Sequence, residues 1–198
     1  NCEIGYVGGS YLDGYGDGKV RYGNGIELMS NSKNTLLENN WIYQIYDSGI
    51  THQGYGDYCA EDMEFTGNIL EYCGMGSVEY WLGQDSKCVN ITYSGNIMRF
   101  AGYGFGGLQR PDKNMSAAIQ SNAKPTGSNY NYAESFIIRN NIFELSTYDL
   151  INAQSRMNTL PVLRGNTYIQ NENRRLGSYS GYLDCMFDSA VGGTVKKL

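Results

Sequence analysis

The chain has little charge, little proline, and no concentration of positive residues. Charged residues make up 18% of its 198 positions, and the net charge is −5. Its basic clusters are the pair Arg174-Arg175 and the tail Lys196-Lys197. A nucleic acid needs a basic stripe, so no nucleic-acid partner is expected. No apolar run approaches the ~18 residues of a membrane span, and no membrane partner is expected. The opening "NCEIGYVGGS" has neither a basic start nor a long apolar stretch, so it is not a signal peptide. It reads as the middle of an element, and a further part of the same protein is expected before residue 1. No Cys-x-x-Cys pair occurs among Cys2, Cys59, Cys73, Cys88 and Cys185, which argues against a zinc cluster. Tandem Asp-x-Asp calcium motifs are also missing. No metal or other cofactor is therefore expected. Histidine is nearly absent, with His52 the single example.

What is present is glycine (26 residues), tyrosine (18) and abundant asparagine, with only 3 prolines. That composition suits many short strands and tight turns. Internal repeats decide the fold, and five segments align on an asparagine. They are "LLENNWIYQI" (36–45), "EFTGNILEYC" (64–73), "NITYSGNIMRF" (90–100), "FIIRNNIFEL" (136–145) and "PVLRGNTYIQ" (161–170). The shared residues are Asn40, Asn68, Asn96, Asn141 and Asn166, at spacings of 28, 28, 45 and 25. Before them stand Asn39, Gly67, Gly95, Asn140 and Gly165, residue types that tolerate a left-handed backbone. Each repeat is thus a strand, a sharp bend and another strand. Stacked asparagine amides can satisfy one another and the turn backbone.

With these [Gly/Asn]-Asn bends and their apolar flanks, the chain resembles a right-handed parallel β-helix of the pectate-lyase-like superfold. The expected architecture is all-β: a solenoid of about six coils with long loops on one side. Residues 1–23 would form an incomplete first coil and a long loop, beginning at Asn1 as an equivalent asparagine. Residues 24–176 would form the regular coils, and 177–198 a last partial coil or cap.

A third strand per coil is expected from "GIELM" (25–29), "GITHQ" (49–53), "SVEYW" (77–81), "AIQSN" (118–122) and "LINAQ" (150–154). Aligned on Ile26, Ile50, Val78, Ile119 and Ile151, the next position points outward by strand alternation. That outward column reads Glu27, Thr51, Glu79, Gln120 and Asn152. A second outward column reads Met29, Gln53, Trp81, Asn122 and Gln154. The position between them, with Leu28, His52 and Tyr80, points inward.

Two carboxylates on alternate coils of a stacked sheet lie ~10 Å apart, at twice the ~4.8 Å strand spacing. Side-chain tilt brings Glu27 and Glu79 towards the ~6.5–9.5 Å of inverting glycosidases. Both have a bland alternative, as solvated glutamates on an outer face. Trp81 offers a stacking surface, and Gln53, Gln120 and Asn122 offer amides for hydroxyl groups. Asp47 in the bend entering the strand is a further catalytic candidate. Tyr55 and Asp57 in the exit loop, and Tyr80, are candidate substrate contacts. His52 falls inward as a core side chain, but lies close enough to the strand end to serve as acid or base. Cys59 and Cys88, nine and eight residues before their asparagines, are expected as neighbours on adjacent coils, set for a disulfide.

The resemblance implies a glycan-binding groove along one stacked sheet. The leading expectation is a secreted or cell-surface glycoside hydrolase, of bacterial type, acting on an oligo- or polysaccharide. A polysaccharide lyase is the second reading, and the only one in which calcium would enter. A non-catalytic glycan-binding segment, or one part of a split enzyme, is the third.

Overall fold

The computed structural model describes residues 1–8, 23–29, 31–54, 59–82, 87–109, 117–121, 133–153, 162–178 and 193–198. Two strands come first, β1 (Glu3–Gly5) and β2 (Ile26–Met29). Triplets then follow one another: β3 (Lys33–Glu38), β4 (Trp41–Tyr43) and β5 (Ser48–Gly54); β6 (Cys59–Thr66), β7 (Ile69–Glu71) and β8 (Gly76–Leu82). The next is β9 (Lys87–Ser94), β10 (Ile97–Ala101) and β11 (Ala117–Ser121), with a short helix, α1 (Phe105–Gln109), before β11. After it come β12 (Ala133–Arg139), β13 (Ile142–Ser146) and β14 (Ile151–Ala153), then β15 (Val162–Arg164), β16 (Thr167–Gln170), β17 (Gly177–Ser178) and β18 (Thr194–Lys197).

Each triplet contributes one strand to each of three parallel sheets. Sheet I runs β3-β6-β9-β12-β15, sheet II β1-β4-β7-β10-β13-β16-β18, and sheet III β2-β5-β8-β11-β14-β17. The result is an all-β parallel solenoid of about four full turns. The expected number was about six. The difference lies at the two ends: β1 and β2 make a partial turn, β15, β16 and β17 are only 3, 4 and 2 residues long, and β18 adds a strand to sheet II alone.

The asparagine corner joins sheets I and II. Asn40 Nδ2 donates to Asn68 Oδ1 at 2.9 Å, Asn68 to Asn96 at 3.0 Å, Asn96 to Asn141 at 2.9 Å and Asn141 to Asn166 at 3.1 Å. Each accepting Oδ1 also takes the backbone N–H of the preceding asparagine. The second amide hydrogen goes to a carbonyl of the preceding coil: Asn68 to Leu37, Asn96 to Phe65, Asn141 to Tyr93 and Asn166 to Ile138. The residue before each asparagine has the expected positive φ, from 53° at Asn39 to 66° at Gly95. Asn1 is not part of this column. Glu3 pairs with Trp41, so Cys2 falls opposite Asn40, and the Cys2 N–H donates to Asn40 Oδ1.

Two further columns are left-handed and were not visible in the sequence. One is Asn34, Asp62, Asn90 and Ser135 within sheet I; the other is Tyr6, Gln44, Tyr72, Phe100 and Leu145 along sheet II. A left-handed non-glycine residue costs roughly 1–2 kcal/mol. Stacking contacts oppose that cost: Asn90 Nδ2 donates to Asp62 Oδ1 at 2.6 Å, and the Tyr72 and Phe100 rings stack at 4.9 Å.

Inside, aliphatic and aromatic columns fill the solenoid. Ile42, Leu70, Met98, Phe143 and Tyr168 line sheet II, and Ile50, Val78, Ile119 and Ile151 line sheet III, all buried. An aromatic cluster occupies the space between sheets I and III. His52 stacks on Tyr80 at 4.4 Å and Phe65 on Tyr93 at 4.3 Å, while Phe136 meets Tyr80 and Tyr93 edge-on. Such pairs add about 0.5–1.5 kcal/mol each beyond area burial.

The expected disulfide does not form. Cys88 lies opposite Ala60, and Cys59 opposite Lys87, so the two thiols alternate to opposite faces and both are free. A one-residue offset reverses the face of every side chain in a strand. Burial pushes the Cys88 thiol up to about 12, which keeps it protonated.

Candidate functional site

The register of sheet III reproduces the expected column. Glu27 pairs with Thr51, Thr51 with Glu79, Glu79 with Gln120, and Gln120 with Asn152. Met29, Gln53 and Trp81 form the neighbouring column. Strand alternation sets Glu27, Thr51, Glu79, Met29 and Gln53 opposite the buried Ile50, His52, Val78 and Tyr80, hence on the outer face. Yet only part of that face meets solvent. Glu27 is exposed and Gln53 half-buried, whereas Thr51 and Glu79 are 0% and 3% accessible. Expecting simple solvated glutamates is therefore incorrect for Glu79, which is shielded from water.

The two carboxylates are joined by a polar relay that the sequence did not reveal. Asn24 Nδ2 donates to Glu27 Oε1 at 2.6 Å. Asn24 Oδ1 accepts the Ser48 N–H at 3.0 Å. The Ser48 hydroxyl donates to Glu79 Oε2 at 3.0 Å. Asn24, two residues before β2, and Ser48, the first residue of β5, each stand three residues before the outward Glu27 and Thr51. That shared offset is the sequence signal that would have found them. Thr51 lies between the carboxylates. Its Oγ1, like Ser77 Oγ, is buried with no hydrogen-bond partner among the described residues. Buried polar atoms are normally paired, so this face has hydrogen-bonding capacity unused by its described neighbours.

Asp47 is placed beside this group, in the bend entering β5, and is 5% accessible. Its N–H donates to the Gly23 carbonyl at 3.0 Å, and its carbonyl accepts from Met75 at 2.8 Å. The backbone at this bend is thus tied to the coils on both sides.

His52 and Tyr80 do not reach the site. Both are 0% accessible in the interior aromatic cluster. His52 Nε2 lies 3.0 Å from the Tyr93 hydroxyl, and burial lowers its pKa to about 3, so the ring is neutral. A neutral imidazole sealed between sheets cannot exchange protons with a substrate on the outer face. Tyr80 fails as a substrate contact for the same reason. Trp81 and Gln120 keep their register positions in β8 and β11, while Tyr55, Asp57 and Asn122 lie outside the described residues. Comparison with protein-family models, curated proteins and solved structures gives no match, so the fold and the geometry of sheet III carry the functional reading by themselves.

Proposed function

We propose that the chain is a carbohydrate-active protein, a glycoside hydrolase whose substrate lies along the outer face of sheet III. The observation that carries this is the stacking of Glu27 and Glu79 on either side of Thr51, one carboxylate wetted and the other dewatered. Environments that differ in this way divide a carboxyl pair into acid and base. Glu79 would protonate the departing glycosidic oxygen. Glu27 would take a proton from the attacking water, giving inversion at the anomeric carbon. The relay through Asn24 and Ser48 holds both groups in place. Asp47, Gln53 and Trp81 are proposed to line the substrate path. A polysaccharide substrate in turn favours a secreted or cell-surface location.

The test is release of reducing ends from a panel of neutral and uronic glycans. Glu79→Gln and Glu27→Gln should each lower the rate by roughly 10²–10⁴. Undiminished release by Glu79→Gln would refute the assignment. Accumulation of unsaturated, ultraviolet-absorbing products would replace hydrolysis by elimination.

A further inference from the structure

A second outer face carries aromatic groups that neither the core nor the carboxylate pair uses. It is the face of sheet II nearest β1. Trp41 is 42% accessible and Tyr6 73% accessible, high values for large rings. Trp41 stacks on Tyr43 with centroids 4.3 Å apart and planes at 22°, and Tyr6 meets Tyr43 edge-on at 5.4 Å. The polar tips of Trp41 and Tyr43 are tied down. Trp41 Nε1 donates to Glu71 Oε1 at 2.9 Å, and the Tyr43 hydroxyl donates to Glu3 Oε1 at 2.7 Å. That hydrogen bond to the Glu3 carboxylate raises the Tyr43 pKa, so the phenol stays protonated. Glu71 is in turn held by Arg99 at 2.6 Å. Gly5 supplies the seat for Tyr43: a Cβ there would lie 2.5 Å from the ring.

We propose that this face is a second carbohydrate-binding surface, one that takes a neutral polysaccharide. The Trp41 and Tyr43 rings are held before any ligand arrives, so little of their side-chain freedom remains to be lost on binding. Their exposed surfaces offer apolar area beside the exposed Glu3 carboxylate, the combination that suits a sugar ring with one apolar face and a polar rim. Charge sets the class. Arg99 and Glu71 neutralise each other and Glu3 adds negative charge, so a polyuronate meets repulsion where an uncharged chain meets none. The inference shares with the hydrolase reading only the class of ligand, because the two faces belong to different sheets.

Affinity electrophoresis through gels containing hydroxyethyl cellulose, arabinoxylan, galactomannan or polygalacturonate tests it. At least one neutral polymer should retard the wild-type chain, and polygalacturonate should not. Trp41→Ala should weaken that retardation at least tenfold, with Trp41→Phe retaining most of it. Tyr6→Ala, which removes a ring outside the core, should act in the same direction. A urea transition matching the wild type shows that each variant is folded. Glu27→Gln and Glu79→Gln are scored separately, by reducing-end release and not by retardation. Thus failure of catalysis at sheet III and failure of binding at sheet II give separate results. Three outcomes overturn the proposal: no retardation by any neutral polymer, undiminished retardation of both Trp41→Ala and Tyr6→Ala, or preference for polygalacturonate.

Discussion

The asparagine corner and the outer face of sheet III are both polar and both withdrawn from water, but their hydrogen bonding differs. Asn68, Asn96 and Asn141 are 0–1% accessible, and each amide is engaged as donor to two groups and acceptor from two. Thr51 and Ser77 are equally buried, yet their hydroxyls have no partner among the described residues. A buried polar group with all its bonds inside the protein serves the fold. One with capacity left over is costly to the fold, and its retention points to something outside it. Burial alone does not separate the two cases; hydrogen-bond satisfaction does.

The sharpest way to break this comparison is to exchange the consequences of mutation. Glu79→Gln, on the outer face, should cost at least a hundredfold in glycan hydrolysis, with little change in the urea midpoint. Asn96→Ala, in the corner, should do the reverse. It leaves the Asn68 N–H without its acceptor, takes one of two acceptors from the Asn68 amide, and removes the amide donor from the Phe65 carbonyl and one of two donors from Asn141 Oδ1, for a loss of about 3 kcal/mol measured by urea unfolding. If Asn96→Ala unfolds no more easily than the wild type, the corner is not the structural element described.

Acid should then act through the interior. The folded His52 has its pKa lowered to about 3 by burial, against 6.5 for a histidine in water. Between those values the unfolded chain binds a proton that the folded chain does not. The contribution of His52 is therefore complete above about pH 6.5, the unfolded value, and is lost as pH falls towards 3. Urea midpoints at pH 7.5 and pH 5 should differ less for His52→Gln than for the wild type. Equal differences would remove His52 from the account. The smallest effect belongs to Thr51→Val, which deletes a hydroxyl while keeping the shape. Stability should stay within about 1 kcal/mol of the wild type, on the stabilising side. A larger loss would mean that the hydroxyl does have a structural partner.

Periodic features were legible in the sequence, and aperiodic ones were not. The corner asparagines and the pairing of Ile26, Ile50, Val78, Ile119 and Ile151 could be aligned because each repeats one chemical type at one place. The left-handed column Tyr6, Gln44, Tyr72, Phe100 and Leu145 shares a backbone conformation but no side-chain chemistry, so nothing in the sequence marks it. The disulfide expectation failed by a single residue of register. The burial of Glu79 was also illegible, because alternation reports which face a residue occupies and not whether that face is wet. Trp41 was available to be noticed. It stands immediately after Asn40, where the other repeats carry Ile69, Ile97, Ile142 and Thr167, and it is the only indole in that column.

The corner column also has a direction. Every asparagine-to-asparagine bond runs from the earlier coil to the later one, so the column resembles a tape measure read from one end. At its far end the pattern needs a sixth asparagine, and the register there offers Gly193, next to the Thr194 that pairs with Thr167. The Asn166 amide turns instead to the Tyr168 hydroxyl of its own coil, at 3.1 Å. Tyr168 thus takes the amide hydrogen that a further asparagine would otherwise accept, so the last asparagine of the column is satisfied within its own coil.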